Sequence, residues 1–118
     1  MIELRRVYDE KRRSGGYRVL VDHLWPRGLK KEVVKPDLWL RDIAPSSGLR
    51  QWFGHNPDRW AEFKQRYFQE LKGRKEEIDF IRDRERQKKV IFLYGARDTE
   101  HNNAVALKEY LEKKKRRV

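Results

Sequence analysis

The chain has 118 residues, of which 37% are hydrophobic and 42% charged, and its formal net charge is +11. That length makes one domain, and with fewer apolar residues than the roughly 45–50% usual in globular domains, four Trp, five Tyr and five Phe must supply a small aromatic core. There is no cysteine, which excludes disulfides, thiolate metal sites and cysteine nucleophiles, and no apolar run approaches the roughly 18 residues of a membrane span.

Ile2–Tyr8 alternates imperfectly and predicts a first strand. Ser14-Gly15-Gly16 signals a turn. Tyr17–Leu24 follows as a second strand, with Val19, Leu20 and Val21 forming the continuous apolar run of a strand buried on both faces. Pro26 and Gly28 end it. Leu29–Lys35 reads as a short helix or a charged loop, and Pro36–Ile43 as a short strand or a helical turn. Ser46 and Ser47 suit the N-cap of a short helix over Gly48–Phe53.

Asn56, Pro57 and Asp58 make a strong helix start. Trp60, Phe63, Tyr67 and Leu71 then recur every three or four residues as one apolar stripe, and Gly73 closes the helix. A further helix is predicted over Lys75–Gln87. Val90–Tyr94 reads VIFLY, a buried strand. The last helix is predicted over Thr99–Lys114. Residues 1–112 are thus expected to form a single α/β domain, with 113–118 as a basic tail suited to a helix C-terminus. The expected architecture is a small three-layer sandwich, with a three- or four-stranded, mostly parallel sheet between helices. The helical link before Val90–Tyr94 favours a right-handed parallel crossover. The short link between the first two strands admits either an antiparallel hairpin or a tight parallel connection.

In an open α/β sheet, ligands gather beyond the carboxyl ends of the strands. Two polar segments follow strands here, Asp22–Gly28 and Gly95–Asn103. The second joins a strand to a helix N-terminus, where free N–H groups attract anions. Arg97 suits phosphate or carboxylate, and His101 is a residue type that titrates near neutral pH. Asn102 and Asn103 are weak helix formers whose amides invite hydrogen bonds. In the alternative reading, Asp98 and Thr99 cap the helix and the amides satisfy the loop. In the first segment, Asp22 suits a cation ligand, a base or an ion-pair partner of Arg27, while His23 is expected on the opposite sheet face. Asp22 and His101 are therefore the candidate acid/base residues, and Arg27, Arg97, Asn102 and Asn103 the candidate anion ligands. His23, His55 and His101 have no metal-ligand spacing. No Walker loop, dinucleotide fingerprint or nucleophile elbow occurs, which disfavours nucleotide-motif enzymes and serine hydrolysis.

Net charge admits a nucleic-acid partner, but abundant Lys, Arg and Glu with little Asn, Gln and Met favour a thermophile-like surface. The absence of cysteine suits the cytoplasm. A structural or interaction protein with no active site is the remaining alternative.

The stretches YRVLVDHLWPRG (Tyr17–Gly28), LWLRDIAPSSGLRQWF (Leu38–Phe53), GHNPDRW (Gly54–Trp60) and Phe92–Leu111, which includes Glu100-His101-Asn102-Asn103-Ala104, resemble the YeaO-like family of uncharacterised small α/β proteins. The resemblance covers nearly the whole chain. One departure is His23, where the family usually has Arg. The family has no settled activity. Some members carry a transcriptional-regulator label, but this chain has no helix-turn-helix pattern. More distant relatives carry a Cys-His-Arg run at the position of His101-Asn102-Asn103, so the resemblance implies an anion cradle kept without its nucleophile.

Overall fold

The computed structural model describes residues 1–9 and 15–116, the last three by backbone alone. The predicted turn at Ser14 and the end of the predicted tail lie outside the described residues. Four strands form one sheet: β1 (Ile2–Arg6), β2 (Tyr17–Leu20), β3 (Leu38–Trp39) and β4 (Val90–Tyr94), in the spatial order β1-β4-β2-β3. Every pairing is parallel. β4 lies between β1 and β2, with Ile2 opposite Val90 on one side and Tyr17 opposite Val90 on the other. The physical reason is in its composition. All five residues of VIFLY are buried, as a strand with apolar side chains on both faces requires.

That placement overturns the hairpin alternative for the first two strands. They are parallel, and β4 separates them. The second strand is also shorter than expected. Val21 still donates to Leu93 O at 3.1 Å, but Asp22 then turns away from the ladder to the end of β4.

The helices are α1 (Lys31–Val34), α2 (Ser47–Phe53), α3 (Trp60–Leu71), α4 (Lys75–Gln87) and α5 (Asn103–Arg116). The two layers flanking the sheet are unequal. Val19, Val21, Val90, Phe92 and Tyr94 pack in one cluster with Leu49 and Phe53 of α2, Phe63, Tyr67 and Leu71 of α3, Ile78 and Ile81 of α4, and Leu107 and Leu111 of α5. Among the described residues, the other cluster holds only Val7, Leu20, Ile91, Leu93 and Val34, with Trp25, Leu29 and Trp39 packed against it. Buried Arg18 braces this thinner side by donating to Val34 O and Lys35 O, both at 2.6 Å. A cation at these carbonyls satisfies the unpaired C-terminal end of α1.

The apolar stripe of α3 is buried as its spacing predicts, and the Phe63 ring stacks on Phe53 at 4.3 Å between centroids. Each such ring stabilises the fold by about 1.5–3 kcal/mol on burial. Tyr67 donates its hydroxyl to Ile43 O at 2.6 Å, and burial raises its pKa. Ser46 caps α2 by accepting from Leu49 N at 3.2 Å. Asn56 caps a 3-10 turn over Pro57–Arg59 that leads into α3. Residues 36–43 divide between the two expected forms: β3, then a 3-10 turn over Arg41–Ile43. Among the described residues, no helix is long and apolar enough to cross a membrane.

Candidate functional site

Because all the strands are parallel, their carboxyl ends open on one edge of the sheet. A cavity of about 710 Å³ lies there, within the size range of small-molecule sites. Tyr8 follows β1, residues 22–27 follow β2, and Gly95 and Ala96 follow β4; all line it. Ser47, Arg50 and Gln51 enter from α2, and His101, Asn102 and Asn103 from the start of α5.

Asp22 joins these elements. Its Oδ2 accepts from Gly95 N at 2.8 Å, and its Oδ1 accepts from Asn103 Nδ2 at 3.2 Å. The same Asn103 nitrogen donates to Val21 O at 3.0 Å. Position 95 must be small for this contact, since a Cβ there would lie 3.2 Å from Asp22 Oδ2 and 3.6 Å from the Tyr8 ring. Burial raises the Asp22 pKa, opposed by the hydrogen bonds from Gly95 and Asn103 and by the charge of Arg50. A desolvated carboxyl of this kind is suited to accept hydrogen bonds or to exchange a proton.

The loop before α5 is organised differently. Asp98 Oδ1 accepts from Glu100 N at 2.8 Å and from His101 N at 2.9 Å. These bonds lower the Asp98 pKa, and they hold residues 98–101 in a turn. The predicted start of the last helix at Thr99 is corrected accordingly. Buried Asn102 is the cap instead, its Oδ1 accepting from Val105 N at 3.0 Å and its Nδ2 donating to Asp98 O at 2.9 Å. His101 Nδ1 lies 2.9 Å from Asp98 Oδ2, and its ring meets Trp60 edge-on at 5.3 Å.

Of the residues singled out from the sequence, the cavity brings together Asp22, Arg27, His101, Asn102 and Asn103. Arg97 is exposed and does not line it. The considered Asp22–Arg27 pair does not form; Asp22 bonds to Gly95 and Asn103 instead. His23 lines the cavity after all, because strand alternation stops at Leu20. His55, with φ of 57°, lines it as well. Arg50 and Tyr8 were not foreseen. Arg50 sits one residue after inward-facing Leu49, and its only signal was its place in the run Leu38–Phe53. Tyr8 donates its hydroxyl to Arg27 O at 2.8 Å, tying the first strand's exit to the second's. Among the described residues, no group of three or more His, Asp or Glu side chains is placed to hold a metal.

The whole chain, residues 1–118, matches the family described as the inactive DUF488-N3 subclade. The uncharacterized protein YeaO of Escherichia coli strain K12 is 38% identical over 110 residues, covering 93% of this chain and 96% of that protein. The uncharacterized proteins Rv3073c of Mycobacterium tuberculosis and Mb3100c of Mycobacterium bovis are each 43% identical over 70 residues, 59% of either chain. No solved structure matches. A family match from end to end and a relative similar over nearly its full length place this α/β chain in the YeaO-like family, within the inactive DUF488-N3 subclade.

Proposed function

We propose that the protein binds a small anionic ligand, phosphate- or nucleotide-like, in the cavity at the carboxyl ends of its strands. One observation carries this reading. Among the described residues, the cavity gathers Arg27, Arg50 and all three histidines around a single carboxylate, Asp22. Arginine suits phosphate and carboxylate, and histidine gains positive charge on the acid side of neutrality. Asp22 and His101 supply acid/base capacity, but the absence of cysteine and the family's description as inactive support binding without turnover. The site works in the cytoplasm on this reading. A nucleic-acid partner is less favoured, since surface cations are interspersed with anions in pairs such as Lys89–Glu3, Lys64–Glu109 and Arg86–Asp83.

The test is titration of the protein with inorganic pyrophosphate. The double variant Arg27→Gln/Arg50→Gln is expected to lose about tenfold or more in affinity, the worth of one or two charge-assisted hydrogen bonds. Arg97→Gln, outside the cavity, is expected to bind as the parent does. Equal losses in both variants, or none in the double variant, would refute the reading.

A further inference from the structure

The cavity that Arg27 and Arg50 line contains one patch of the opposite character. A carboxylate offers about four acceptor positions, and Gly95 N and Asn103 Nδ2 fill two of those on Asp22. The orientation of the Asn103 amide is fixed by its neighbours, because only its NH2 can donate to Val21 O at 3.0 Å. Its Oδ1 is therefore the free end, and among the described residues it takes no hydrogen bond. Asp22 and Asn103 touch at 3.2 Å. Two residues with acceptor capacity to spare thus stand in contact in a cavity that Arg27 and Arg50 also line.

An anion alone has no use for acceptors. It would be repelled by Asp22 and would leave Asn103 Oδ1 without a donor, at a cost in affinity. A ligand cation is also a poor occupant, because Arg27 and Arg50 line the same cavity. The occupant that satisfies both halves carries an acidic group for the arginines and neutral O–H donors beside it.

We infer that Asp22 and Asn103 are specificity residues which select, among anions, a phosphorylated sugar or polyol by accepting hydrogen bonds from two neighbouring hydroxyls. The inference rests on the anion-binding reading and narrows it. A site built to pair with a ligand hydroxyl rejects the analogue that lacks it, because its own acceptor is then left unpaired.

The experiment compares ribose 5-phosphate with cyclopentylmethyl phosphate, which keeps the ring and phosphate but has no hydroxyl, by titration calorimetry on the full chain. The parent protein is expected to bind ribose 5-phosphate at least about tenfold more tightly. Asp22→Ala is expected to remove that preference while still binding cyclopentylmethyl phosphate. Equal binding of the two compounds by the parent would overturn the inference and leave anion binding standing. Binding of neither would overturn both. A preference that survives in Asp22→Ala would also overturn the inference. Should Asp22→Ala fail to fold, the comparison in the parent decides alone.

Discussion

Two aspartates, each shortly after a buried strand, sit in neighbouring loops and behave in opposite ways. Asp98 follows β4 near the surface. Its carboxylate is taken up by the N–H groups of Glu100 and His101, and its pKa is lowered by those bonds. Asp22 follows β2 inside the cavity. It accepts from Gly95 and Asn103 on other elements, and burial raises its pKa. A hydrogen bond to a charged form favours charge, and desolvation disfavours it. The polar groups of Asp98 and Asn102 are therefore taken up in starting α5, while the Asp22 carboxylate links separate elements and keeps acceptor positions beyond its two bonds. From the sequence, the second loop had looked the richer in chemistry.

The comparison can be broken most directly at Asn102. If this residue is scaffold, Asn102→Ala removes a helix cap and leaves buried N–H and C=O groups unpaired, costing about 2 kcal/mol in urea denaturation. Pyrophosphate affinity in the folded fraction is expected to stay within about twofold. A large loss of affinity with little loss of stability would make Asn102 a ligand group instead.

A smaller effect sharpens the contrast through pH. For an acid whose native pKa is raised, the folded state binds more protons than the unfolded state between the two values, so stability falls as pH rises through that window. Asp22→Asn removes this slope. The urea midpoint of the variant relative to the parent is expected to improve as pH rises above the ordinary value of 3.8 toward the raised native one. A difference that is flat with pH would mean that Asp22 is not desolvated.

The smallest effect has the opposite sign. Asp98, with its lowered native pKa, contributes stability that is present above 3.8 and lost as pH falls through the native value. Asp98→Asn is expected to flatten the acid side of the stability profile, its small deficit against the parent being present at neutral pH and vanishing as pH falls through the native value. If it instead steepened that side, the assigned turn would be wrong.

How much of this was legible beforehand depended on the range of the interaction. VIFLY announced a doubly buried strand, and the stripe from Trp60 to Leu71 announced its helix, because burial pattern and local spacing encode both. The partners of the first strand were not legible, since its pairing joins Ile2 to Val90 across most of the chain. The start of α5 was misplaced because Asp98, Thr99 and Asn102 are all fit to cap, and only tertiary burial of Asn102 decides among them. That Asp22 lies at the cavity follows from its place at a strand end. That Arg50 does was not legible, because it depends on where α2 packs, and no local pattern states that.

The central position of β4 bears on how the protein is made. β1 and β2 leave the ribosome early, yet neither has the other as a neighbour; both wait for Val90–Tyr94. Synthesis at about 5–20 residues per second leaves these two strand edges unpaired for several seconds. Closing the sheet then requires a loop spanning most of the sequence, which is slow relative to helix formation. The helices between β3 and β4 can form locally in the meantime. The same edge of the sheet that holds the cavity is thus assembled last, and the cavity comes into being only when the fold is complete.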